Sequence, residues 1–136
     1  MSIAFASPQD AEDAFYDAID DKDLSAMMAV WDDADDVACL LPMRPLAQGR
    51  SELQDVWRQL LGAEFDLQIQ VHHLRWVEGG DWAVHYLQEE VEAPGQPQPL
   101  VYATNVYRRG PSGWRMLLHQ NSPAPPPRMM HPDRPR

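Results

Sequence analysis

The sequence predicts an α+β domain in which three N-terminal helices pack on a curved, mostly antiparallel sheet, forming a cone open at one end. Three observations carry that expectation. Apolar residues recur at helical spacing in three stretches before Gly62. Beyond Gly62 the period falls to two. The closing stretch then sets two alternating strands around Gly110-Pro111-Ser112-Gly113, a hairpin turn. Helices first and strands after is the α+β order. A chain of 136 residues supports one hydrophobic core. Residues 1–123 are read as that domain and residues 124–136, rich in proline and arginine, as an extended, disordered tail.

Ser7-Pro8-Gln9-Asp10 opens the first helix, with serine as cap, proline at the first position and an acid in the first turn. Ala11, Phe15, Ala18 and Ile19 follow on one face. Asp23 can cap a second short helix through Leu24, Met27, Met28 and Trp31. Val37 to Leu41 reads as a short buried strand closed by Pro42 and Pro45. Ser51-Glu52-Leu53-Gln54 has the form of a capping box, with Leu53, Val56, Trp57, Leu60 and Leu61 forming the apolar stripe behind it. Leu67, Ile69 and Val71 then alternate with Gln68, Gln70 and His72. Glu78-Gly79-Gly80-Asp81 turns the chain into a strand from Trp82 to Val91. Pro94, Gln96, Pro97 and Pro99 mark a looser connection to the final hairpin.

Composition narrows the functions. The formal charge is −10, which argues against nucleic acid, whose phosphates call for clustered Lys and Arg. No run approaches the about 18 apolar residues of a membrane span, and the first seven residues lack the basic start of a secretory signal; a cytoplasmic location is expected. Cys39 is the single cysteine, so neither an intrachain disulfide nor a cysteine zinc cluster can form. The acids from Asp10 to Asp36 read as a solvated face. Asp32, Asp33, Asp35 and Asp36 lack the central glycine and distal glutamate of a calcium loop. His72 and His73 are neighbours on a strand and point to opposite faces, so they cannot chelate one ion. No metal and no cofactor is expected.

On the last hairpin, Asn105, His119 and Asn121 sit among apolar residues, where a polar side chain needs a partner or a ligand. Alternation puts Asn105 with Ala103 and Tyr107, and Asn121 with His119 and Leu117. On the preceding strand Ala83, His85, Leu87 and Glu89 share a face.

The element order, together with Tyr102-Ala103-Thr104-Asn105-Val106-Tyr107-Arg108-Arg109, Gly113-Trp114-Arg115 and His119-Gln120-Asn121-Ser122-Pro123, resembles the SnoaL-like branch of the nuclear transport factor 2-like superfamily. Leu24 to Trp31, Pro42 through Gly49, Gly80-Asp81 and Ala83 fit the same pattern, over residues about 8 to 123. Within the branch the chain is similar to bacterial proteins that resemble the association domain of calcium/calmodulin-dependent kinase II. The resemblance implies a cystatin-like cone with Asn105 and Asn121 facing its interior. Where that association domain carries arginines, this chain has the two asparagines; where it carries a pocket histidine, this chain has Leu53.

A cavity holding Asn105, Asn121, His119, His85 and Glu89, bounded by Trp57 and by Tyr16 on the first helix, combines an acid/base pair with amide donors. That set suits proton transfer beside a carbonyl, as in ketosteroid isomerases. It suits equally a network that satisfies itself within a binding pocket. Glu89 has Glu90 and Glu92 beside it, as on a solvated strand edge, and the Tyr16 hydroxyl could sit at the rim. Three functions follow: a small-molecule-binding protein with an unknown ligand; a cofactor-independent isomerase, cyclase or dehydratase; or an oligomerisation module. A homodimer is expected through a second sheet face holding Trp82, Val84, Tyr86, Trp114, Met116 and Leu118. Asn105→Leu is expected to abolish ligand binding and leave the fold intact.

Overall fold

In a computed structural model, residues 4–64, 67–93 and 96–122 are described, the side chains of 92, 93 and 96–99 excepted. The proline-rich tail expected over 124–136 lies outside the described residues. The elements run α1 (Pro8–Asp21), α2 (Leu24–Val30), β1 (Ala38–Leu40), β2 (Ala47–Gln48), α3 (Gly49–Leu61), β3 (Gln68–Glu78), β4 (Trp82–Ala93), β5 (Gln96–Gly110) and β6 (Gly113–Ser122). The six strands form one sheet in the order β2-β1-β6-β5-β4-β3. Every pairing is antiparallel except β1 with β6. Three helices and a mostly antiparallel sheet make the α+β class expected. No helix in the described residues is long and apolar enough to cross a membrane.

The helix starts follow the local chemistry with one exception. Ser7 Oγ accepts from Asp10 N at 3.0 Å, and Asp23 Oδ1 accepts from Ala26 N at 3.0 Å. In α3 the expected Ser51 cap fails: the helix begins three residues earlier, at Gly49, with Gln48 in the cap position. Glu52 alone completes the motif, accepting from Gln48 N at 2.9 Å. Gly49 has φ +83°, a turn that carries the chain from β2 into the helix without a side-chain cap hydrogen bond from Gln48. Arg50 then donates to the Trp31 and Asp32 carbonyls just past α2, at 3.2 and 2.9 Å, and to the Met28 carbonyl in its last turn at 3.4 Å.

Two further expectations are corrected by backbone irregularities. Pro97 and its neighbours belong to β5 rather than to a loose connection, since Gln96 already pairs with Ala93. In the last hairpin the register shifts from Val106↔Leu118 to Tyr107↔Met116, leaving Leu117 as a bulge. The extra residue inverts the alternation. Trp114 and Met116, expected on the outer face, are therefore buried in the core, while His119 and Asn121 still point inward beyond the bulge. Leu117, expected beside them, is only half-buried.

Phe15 centres the core. Its ring meets Trp57 edge-on at 5.5 Å, Trp31 at 6.3 Å and His119 at 4.9 Å. Burying such a side chain contributes about 1.5–3 kcal/mol, with edge-to-face contacts adding to it. Phe15 thereby fixes α1 against both α3 and β6. The acids after α2 are not all a solvated face: Arg108 on β5 binds Asp32 at 3.2 Å and both oxygens of Asp36 at 2.9 and 3.1 Å. The guanidinium holds the Asp36 carboxyl below the usual range through that hydrogen bond.

Candidate functional site

Five of the seven residues singled out in the sequence are polar, buried and joined in one hydrogen-bonded network with Tyr16 and two residues the sequence did not single out. Its first centre is Glu12 on α1, 2% exposed. The carboxylate accepts from His85 Nδ1 at 2.7 Å, from the Tyr107 hydroxyl at 2.7 Å and from Asn105 Nδ2 at 3.1 Å. The second centre is Glu89 on β4, 3% exposed. It accepts from the Tyr16 hydroxyl at 2.7 Å and from Asn121 Nδ2 at 2.9 Å. Glu89 is therefore no solvated strand edge, because the register with β5 turns it inward between Leu87 and Val91.

Asn105 joins the two centres. Its amide nitrogen donates to Glu12 and, at 3.2 Å, to the Tyr16 oxygen, while its own oxygen faces His119 Nδ1. The other ring nitrogen of His119 faces Asn121 Oδ1 at 3.2 Å and lies 3.8 Å from Glu89 Oε2. Tyr16 is not a rim tyrosine; it donates to one carboxylate and accepts from the central amide. Burial first, then the Glu89 charge, raises its hydroxyl well above the ordinary tyrosine value. Burial and Glu12 do the same for Tyr107. For His119 burial dominates and lowers the pKa, with Glu89 opposing.

At the far side His85 stacks on Trp76, centroids 4.1 Å apart, and meets His73 Nδ1 through its Nε2 at 2.8 Å. His72 turns the other way, to Glu90 at 3.0 Å. The neighbouring histidines thus take separate partners, as strand geometry requires.

A cavity of about 310 Å³ opens beside this network. Ile19, Leu41, Leu60, Leu67, Ile69, Val91 and Val101 give it apolar walls. Glu89, His119 and Asn121 form its polar end, Trp57 contributes to the wall, and half-exposed Arg44 is its cation. Of the seven residues expected to line one cavity, these four (Glu89, His119, Asn121 and Trp57) do so. Asn105, His85 and Tyr16 stand behind them and brace them, because their hydrogen bonds are spent inside the network. The Trp57 Nε1 and Trp31 Nε1 atoms are buried without a partner. Cys39 is buried too, which, with the Glu89 charge adding to it, pushes its thiol up to about 12.

Glu12 and Tyr107 are the functional residues that the sequence reading missed. Glu12 had a signal: it stands with Tyr16 and Ile19 at i, i+4 and i+7, inside the buried stripe of α1. Tyr107 shared the inward face of Asn105 and was read there as apolar.

The fold coincides with what the chain is similar to. The pattern described as a SnoaL-like domain matches residues 9–126. A solved structure from Thiobacillus denitrificans, provisionally named a calcium/calmodulin-dependent protein kinase type II association domain, is 38% identical. It superposes with a TM-score of 0.84 over 90% of this chain and 98% of its own. A provisionally named dehydratase of the NTF2-like family from Streptomyces avermitilis is 29% identical, with a TM-score of 0.75 over 84% and 91%. A ketosteroid isomerase-like protein from Erwinia carotovora atroseptica, 20% identical with a TM-score of 0.65 over 85% and 94%, shares the fold. No curated protein matches. With its helices, its sheet order and the match over residues 9–126, the chain belongs to the SnoaL-like domain family.

Proposed function

We propose that this protein binds a small, largely apolar molecule in the cavity, which occupies the interior of a cone formed by residues 1–123. One observation carries the reading: a space of about 310 Å³ with apolar walls ends on three buried polar side chains, Glu89, His119 and Asn121. A few convergent polar groups in an apolar pocket of this size are the usual makings of a ligand site. The network behind it locks those side chains in place, and binding sites are sharpest where supporting hydrogen bonds fix the contacting groups. Native mass spectrometry of the purified full chain tests the reading. A bound small molecule that disappears when Ile69→Trp fills the cavity supports it; a molecule retained by that variant counts against it.

A second reading, a cofactor-independent acid/base isomerase, cyclase or dehydratase, draws on the Tyr16–Glu89 hydrogen bond and on the lowered pKa of His119. Perturbed groups in a cavity are candidates for proton transfer. The binding reading is preferred, because each nitrogen of His119 already faces an amide oxygen.

The partner proposed is a second copy of the chain. Trp82, Tyr86, Leu100 and Tyr102 are 47%, 44%, 39% and 41% exposed on adjacent strands β4 and β5. An aromatic patch of this kind is a liability on a monomer. It also gives the oligomerisation reading its physical basis.

A further inference from the structure

We propose that Arg44 makes the solvent end of the cavity a carboxylate site, so that the ligand is a small monocarboxylic acid whose apolar body fills the space behind it. The inference rests on the cavity being a ligand site and names the ligand's class from the arginine in its described lining.

Local structure sets Arg44 at the rim. Its backbone N–H donates to the Leu41 carbonyl at 3.3 Å, closing a turn through Pro42 and Met43. Met43, third in the turn, takes φ +64°, a left-handed conformation that strains a non-glycine residue. Its side chain is fully exposed, so no packing of its own offsets that strain. The other members of the turn, Leu41, Pro42 and Arg44, all line the cavity. From α3, Gln59 Oε1 accepts one guanidinium N–H at 3.3 Å and ties the side chain to the helix that carries Trp57 and Leu60.

A guanidinium has five N–H donors, and Gln59 takes one of them. Other arginines show what Arg44 lacks. Arg58 meets Asp55, Arg108 meets Asp32 and Asp36, and Arg109 meets Asp81. Arg44 has no carboxylate partner among the described residues, in a chain with 21 acids against 11 Lys and Arg. In the described lining the one carboxylate, Glu89, is buried and already accepts from Tyr16 and Asn121. These two charges orient the ligand. A carboxylate beside Glu89 would meet a like charge out of water. Beside half-exposed Arg44 it meets a planar fork that matches it with two parallel hydrogen bonds. One guanidinium balances one negative charge, which selects a monoacid; a second carboxylate carried to the inner end would be repelled by Glu89. Trp57 Nε1, a further donor of the lining without a partner, likewise matches an acceptor rather than a cation. The apolar walls take the rest of the molecule.

The test is calorimetric titration of the full chain with four probes that share one alkyl body: octanoate, 1-octanol, octylamine and octanedioate. An ionic strength of about 0.15 M screens charges beyond about 8 Å, so that the formal charge of −10 does not mask the local pairing. Octanoate should bind roughly tenfold or more tighter than 1-octanol, as charge-assisted hydrogen bonds allow, with octylamine and octanedioate both weaker than octanoate. Arg44→Gln should remove octanoate's advantage over 1-octanol. Arg75→Gln, which takes an exposed arginine from outside the described lining, should preserve it. The wild-type comparison stands if Arg44→Gln fails to fold. Equal binding of octanoate and 1-octanol, tightest binding of octylamine or octanedioate, or an advantage that survives Arg44→Gln overturns the carboxylate site and leaves the cavity reading intact. Binding of none, or binding that Ile69→Trp does not reduce, overturns both.

Discussion

Replacing Asn105 with leucine distinguishes a bracing residue from a pocket residue. The volumes are similar, so little strain is introduced. The loss is in hydrogen bonds: Asn105 donates to Glu12 and to Tyr16 and accepts from His119, and all three partners are buried or partly so. One nitrogen of the His119 ring is left unpartnered whichever tautomer it takes, which costs about 1–3 kcal/mol. The two other lost bonds cost about 0.5–1.5 kcal/mol each. Together these give roughly 2–6 kcal/mol, a large fraction of the about 5–15 kcal/mol that holds a domain folded. At roughly 3–5 °C per kcal/mol for a chain of this size, melting should fall by roughly 6–30 °C. Thermal and urea unfolding followed by tryptophan fluorescence provide the measurement. The structure therefore replaces the expectation that this variant keeps its fold. A variant within about 1 kcal/mol of wild type would refute the reasoning, for it would mean that the network is not a unit.

Three further outcomes are expected. Tyr16 and Tyr107 have raised folded-state pKa values, so their contribution is complete below the unfolded value of about 10 and is lost as pH rises beyond it. Urea midpoints measured toward alkaline pH should fall more steeply for wild type than for Tyr107→Phe; equal slopes would contradict this. His119 has the opposite sign: its lowered pKa makes stability complete above about 6.5 and draws it down as pH falls through the folded value. A His119 ring resonance that titrates above 6.5 would contradict that direction. Trp82→Glu, placing a charge on the exposed patch of β4, should convert the proposed dimer to monomer in light scattering; an unchanged mass would exclude that face as the interface.

The fold was legible because its signals were local. Ser7 and Asp23 announced their helices, and the alternation from Leu67 onward announced the sheet. The bulge at Leu117 was not legible: one extra residue leaves the composition of β6 unchanged yet moves Trp114 and Met116 from the outer face to the core. At the site, Asn105, His119 and Asn121 could be found because amides and imidazole are conspicuous on apolar strands. Glu12 was masked by the surrounding acids of α1, most of which are solvated. Only the tertiary pairing of Glu12 with Asn105, His85 and Tyr107 separates it from them. The same pairing explains why Asn105 and His85 brace the cavity rather than line it.

The central claim is that the cavity beside Glu89, His119 and Asn121 is where this protein meets its ligand. Amide chemical-shift mapping of the labelled full chain against a library of small fragments tests it most directly. The account predicts shifts concentrated at Leu60, Ile69, Val101 and Asn121. Fragments that shift only the outer face around Trp82 and Tyr86, or nothing at all, would contradict it.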